Sequence, residues 1–194
     1  MTAAALSPFE FSTDSLERIA WIKSRYPSTQ AAVLPVLWVA QRQVLADPGR
    51  PRQLTSDVIV AVAAICELTP AYVWGVATFY TMYHTQPIGE RLIEVCTSVS
   101  CCLMGGEEIY QHICRRLGIE PGTGGTTPDG KVTVRRAECL AACGYAPMLQ
   151  LDEGACYEHL TPDKVDELLA HWGLRTQAEQ DAASQRRADP EAVS

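Results

Sequence analysis

"RLIEVCTSVSCC", residues 91–102, is where the periodicity of the chain changes, and it decides how the rest is read. Arg91 to Cys96 has the apolar, β-branched character of a buried strand. Three cysteines, Cys96, Cys101 and Cys102, then fall within seven residues. Downstream, "MGGEEIYQHICRRLG" places Ile109, Tyr110, Ile113, Cys114 and Leu117 on one helical face and closes with Gly118. The long loop "IEPGTGGTTPDG" ends in an Asp-Gly turn, followed by the alternating strand "KVTVRR". "MLQLD" and "ACYEHL" flank Asp152 to Gly154 as a hairpin, and a last helix starts at Thr161 and Pro162. The order β-α-β-β-β-α, with one crossover and one hairpin, suits a small mixed sheet of thioredoxin-like type with helices against it.

Upstream the chain reads as helices joined by short turns. Asp14 with Glu17 marks a start, Leu16, Ile19, Ala20 and Trp21 form its apolar face, and Pro27 stops it. A second helix is expected from about Thr29 to Ala46, with Pro35 kinking it or ending its first turn. "TSDVIVAVAAICEL" and "TPAYVWGVATFYTMY" make two more, the latter with Thr69 as N-cap and Pro70 at the first helical position. The fold class expected is therefore α+β: a small N-terminal helical bundle over 12–86, then a thioredoxin-like α/β domain over 87–174. The segment 175–194 has few apolar residues and no period and reads as a mobile tail.

Sixteen Lys and Arg stand against 23 Asp and Glu, a net charge of −7, and no basic stripe is present to track phosphates, so nucleic acid is not an expected partner. The N-terminus lacks the basic and long apolar regions of a targeting peptide. Apolar stretches such as Val33 to Ala40 are far short of the roughly 20 residues a bilayer needs, which predicts a cytoplasmic chain without direct membrane insertion.

In a reducing compartment, closely spaced cysteines point to metal ligation or thiol chemistry before structural disulfides. Cys96 and Cys101 form C-x4-C and Cys139 and Cys143 form C-x3-C, each pair on a loop leaving a strand. If those strands are neighbours, four thiolates converge at one sheet edge, where they can hold an iron–sulfur cluster or a zinc ion. Spacing alone leaves both readings open, with thiol or core chemistry beside them. Cys66, Cys114 and Cys156 read as core residues, while Cys102 adjoins Cys101 as a possible alternative ligand. "GTGG" at 122–125 follows a helix but opens none and reads as a plain loop, and His84, His112, His159 and His171 share no ligand spacing.

"GVATFYTMYHTQPIGERLIEVCTSVSC", "TTPDGKVTV", "ECLAACGYAPMLQLD" and "HLTPDKVDELL" resemble, in that order, segments of the 24 kDa subunit family of bacterial NADH:quinone oxidoreductase, respiratory complex I. The resemblance runs over roughly residues 12–172 and implies one [2Fe-2S] cluster on Cys96, Cys101, Cys139 and Cys143. Ser100 stands where many relatives have Pro, and Cys102 where Met often follows. The resemblance also implies a flavoprotein partner carrying FMN, a [4Fe-4S] cluster and the NADH site; the helical part, with no chemistry of its own and the aromatic run "WGVATFYTMY", is the expected docking element. Other peripheral-arm subunits would hold the chain on the cytoplasmic side of the inner membrane. Similar chains serve NAD-dependent formate dehydrogenases and NAD-reducing hydrogenases, and a structural zinc scaffold is the alternative of another class. The backbone of "GYAP", after Cys143, is expected to supply donors near the cluster.

Overall fold

A computed structural model describes residues 7–122 and 124–174, so the expected tail at 175–194 lies outside the described residues. The chain divides into two compact units, Met1–Pro87 and Ile88–Ser194.

The first unit holds α1 (Thr13–Arg25), α2 (Val33–Ala46), α3 (Ser56–Cys66) and α4 (Pro70–Phe79). Short local bonds begin two of them: the Ser12 hydroxyl accepts from Ser15 N–H, and the Thr69 hydroxyl from Tyr72 N–H with Pro70 at the helix start. Val36, Leu37, Val58, Val62 and Val73 fill the core between the helices. Of the apolar face expected for α1 only Ile19 is buried. Ser15, Ile19 and Ile22 are buried, whereas Leu16 and Trp21 are about half exposed and Ala20 is exposed too. Two apolar edges run along this helix, and packing against α2 selects one. Helix α2 begins at Val33, four residues later than expected, because residues 29–32 form turns, and Pro35 sits in its first turn, where its missing N–H costs no helical bond.

In the second unit, β1 (Arg91–Cys96), α5 (Val99–Leu103), α6 (Gly106–Leu117), β2 (Gly125–Thr126), β3 (Val132–Ala137), β4 (Leu149–Leu151), β5 (Ala155–Tyr157) and α7 (Pro162–His171) follow in order. The sheet runs β2-β3-β1-β4-β5, with β1 and β3 parallel and the other neighbours antiparallel. Ile93, Val95 and Val134 of the sheet pack with Ile109, Tyr110, Ile113, Cys114 and Leu117 of α6 and with Val165 and Leu169 of α7. Glu94, buried in the central strand, is held by Arg135 Nε at 2.8 Å on the neighbouring strand.

Three expectations for this unit are corrected. The long loop contains β2, which pairs with Thr133 and Val134 of β3, so the expected plain loop at 122–125 ends in a strand. The strand expected over 155–160 stops at Tyr157. Cys156 is exposed, since β5 is the sheet edge and packs its side chains loosely. Among the described residues no single helix is long and apolar enough to cross a membrane; α3 and α4 together have the length, but they meet at 113° and give Val58, Val62 and Val73 to the bundle core.

Candidate metal centre

The parallel pairing of β1 with β3 sets Cys96 opposite Ala137, and Thr97 N–H continues the ladder onto the Ala137 carbonyl at 3.0 Å. The two strands therefore end together, and both cysteine-bearing loops leave from the same end of the sheet. Cys96 closes β1 and is buried. The chain then enters α5, where the sequence predicts only a turn, because so short a helix shows no period. Cys101 lies on its buried side, while Cys102, rotated about 100° further round a helix, is exposed.

Cys96 and Cys101 pack with Ala146 and Met148 beneath them. The Cys101 thiol is pushed up to about 11, first by burial, then by its hydrogen bond to Cys96 and the proximity of Cys96 and Cys143, against a backbone hydrogen bond from Met148. A bare thiolate is thus disfavoured there at neutral pH, and a bound cation would reverse that preference. The same Met148 accepts the Cys96 N–H through its carbonyl at 3.1 Å.

The second pair is more open. Cys139 stands two residues past β3, Cys143 starts the short 3-10 turn Cys143–Tyr145, and both are exposed. Between them Ala141 adopts a left-handed backbone, φ 60°, and its N–H points at Cys139 Sγ at 3.4 Å. The donors expected from "GYAP" are partly spent elsewhere, since Tyr145 N–H bonds the Ala142 carbonyl. Ala141 and Met148 carry no sequence signal, because a backbone donor is recognised only when its target is in place.

Gly106, at the start of α6, lets that helix approach the first pair. A Cβ there would stand 2.8 Å from the carbonyl oxygens of both Cys96 and Cys101. Val99, Leu103 and Met104, close in sequence to Cys101, and Tyr145, two residues past Cys143, are exposed. His112 pairs with Asp166 at 2.9 Å, and His84 is buried in the helical unit.

Among the described residues no three His, Cys, Asp or Glu side chains gather closely enough for one metal ion. Cys96, Cys101, Cys139 and Cys143 are free thiols on loops that leave the ends of two adjacent parallel strands, and thiolates are the donors that iron–sulfur clusters and zinc both use.

Known proteins of similar sequence are named as parts of NADH oxidoreductases. NADH-quinone oxidoreductase subunit 2 of Thermus thermophilus is 36% identical over 78% of this chain and 79% of its own length. The mitochondrial NADH dehydrogenase [ubiquinone] flavoprotein 2 of Dictyostelium discoideum is 37% identical over 84% of this chain, which spans 63% of it. The fold is similar to part of a crystal structure of an NAD+-reducing [NiFe]-hydrogenase in the air-oxidized state, with TM-score 0.56 and 22% identity over 69% of this chain and 22% of that one. The family model described as thioredoxin-like [2Fe-2S] ferredoxin matches residues 19–173, most of both units, and the chain belongs to that family.

Proposed function

We propose that this chain is the [2Fe-2S] electron-transfer subunit of an NADH:quinone oxidoreductase, with Cys96, Cys101, Cys139 and Cys143 as the cluster ligands. The observation that carries it is the register of β1 on β3, which sends both cysteine loops out from one sheet end. When bound, such a cluster takes up and passes on one electron at a time. The chain's own contribution is to hold four thiols in two pairs, to bury the first, and to aim the N–H groups of Ala141 and Met148 at sulfur. Such donors stabilise negative charge on sulfur and so tune the potential.

The partner is a flavoprotein that carries FMN and a [4Fe-4S] cluster and oxidises NADH, since a one-electron centre cannot accept a hydride directly. Attachment to that assembly places the chain peripherally, on the cytoplasmic side of the inner membrane.

The test is chemical analysis of the full chain purified without oxygen, together with its eight single Cys→Ala variants. Two irons and two sulfides per chain are expected, lost on replacing Cys96, Cys101, Cys139 or Cys143 and retained for Cys66, Cys102, Cys114 and Cys156. One zinc and no sulfide would replace this function by a structural one, and loss in Cys102→Ala with retention in Cys101→Ala would move the ligand by one residue.

A further inference from the structure

We propose that the groove between α1 and α2 is a docking site for an acidic, apolar-anchored segment of another subunit; this rests on the chain being a subunit of a complex. The groove is an open cavity of about 470 Å³, with Ile22 and Val39 among its lining and Trp21 and Trp38 beside them. Three arginines, Arg18, Arg25 and Arg42, also line it. Among the described residues none of the three has an ion-pair partner, although the chain has 23 acidic residues to 16 basic ones. Arg50, Arg91, Arg116, Arg135 and Arg136, by contrast, each meet a carboxylate.

The guanidiniums are placed by the rings instead. Arg18 lies 4.4 Å from the Trp21 ring centroid and Arg25 5.7 Å from the same ring, while Arg42 lies 5.7 Å from that of Trp38. Contact with an indole face orients a guanidinium while leaving N–H donors free for a carboxylate, which they can bind in pairs.

The lining selects the ligand class. Arg18 and Arg25 rise from α1 two turns apart and Arg42 from α2, so three cations share the groove with Ile22 and Val39. A peptide bearing several carboxylates can meet all three, and its apolar side chain fills the space by Ile22 and Val39. A bilayer surface would not enter a concave groove, and a nucleic acid would meet a chain of net charge −7. Charge complementarity therefore favours an acidic protein segment, steered to a cationic groove on a chain whose net charge is negative.

Two measurements test it. In the first, a blocked synthetic peptide of Glu, Leu and Phe is titrated into the full chain, with tryptophan fluorescence as readout and its Lys counterpart as control. Saturable quenching by the Glu peptide, weakened by salt and at least about tenfold weaker in R18E/R25E/R42E, is expected. No response, or an equal response to the Lys peptide, overturns the proposal. In the second, Tyr26 at the rim is replaced by photoreactive p-benzoylphenylalanine in the intact complex. Cross-linking to an Asp- or Glu-rich segment of another subunit supports the proposal; cross-linking to lipid, or to a segment without acidic residues, overturns it. A chain recovered from cells with no other subunit attached, yet quenched by the Glu peptide, would instead sink the complex-subunit function and leave the groove's chemistry standing.

Discussion

Gly106 is the residue at which the metal centre and the fold constrain each other most tightly. The atoms its Cβ would meet at 2.8 Å are backbone carbonyls of two proposed ligands, so no flexible side chain can yield. Gly106→Ala is expected to cost about 2 kcal/mol or more, as overpacking against backbone does, and to lower cluster content. Chemical denaturation and iron analysis would check both, and full stability with full iron would show that the helix can back away freely. Asp57 offers a pH test in the other unit. Its carboxylate is partly desolvated, which alone would raise its pKa, but hydrogen bonds from Thr55, Arg50 and Phe9 N–H, with the Arg50 charge, hold it below the ordinary carboxylate value. A depressed pKa in the folded state means stability that is complete above the unfolded value, about 4, and lost as pH falls through the lower folded one. The thermal midpoint of the helical unit should therefore drop on acidification below about pH 4, and less steeply in Asp57→Asn. Identical slopes in the two proteins would remove Asp57 from the account.

Helix α4 keeps much of its apolar surface exposed. It buries only Val73 and Ala77, and leaves Trp74 at 42% and Phe79 at 77% exposed, with Tyr80 and Met82 exposed just beyond its end. Large aromatic anchors of this kind commonly carry interface energy, which supports the helical unit as the docking element for the proposed flavoprotein partner. Trp74→Ala with Phe79→Ala should weaken binding of that flavoprotein by about 2 kcal/mol or more with the bundle's stability nearly unchanged, and calorimetric titration against the flavoprotein would measure it. Unaltered affinity would place that interface on another face. The long amphipathic α6 shows how much of an element is legible beforehand: its five buried apolar positions recur at helical spacing, and all five lie in the core. In α1 the same signal is ambiguous, because Leu16 and Trp21 offer one edge and Ser15 and Ile22 another, and only the partner helix can choose. Elements as brief as α5 and β2 span too few residues for any periodicity to register.

For the whole molecule the expected behaviour is that the isolated chain does not consume NADH. It has no G-x-G-x-x-G between a strand and a helix to cradle a dinucleotide, and its proposed centre accepts one electron where hydride transfer delivers two. Purified chain mixed anaerobically with NADH should leave the nicotinamide absorbance unchanged until the flavoprotein and an artificial acceptor are added, and stoichiometric consumption without flavin would refute this. What the sequence determined by itself was local. Thr69 with Pro70 and Thr161 with Pro162 start helices through bonds that reach only three residues, the strand-forming runs at 91–96 and 132–136 stand out by their side chains, and the paired cysteine spacings single out the candidate ligands while leaving iron–sulfur and zinc both open. What only the tertiary structure decided was convergence. That β1 and β3 are adjacent, parallel and in a register that ends both together depends on hydrogen bonds between distant parts of the chain, which no local pattern encodes. The same holds for Met148 against Cys101 and for the groove that Arg18 and Arg25 of α1 share with Arg42 of α2, because these join separate elements, whereas the Ala141 N–H on Cys139 and each Arg–Trp contact reach only two to four residues along the chain.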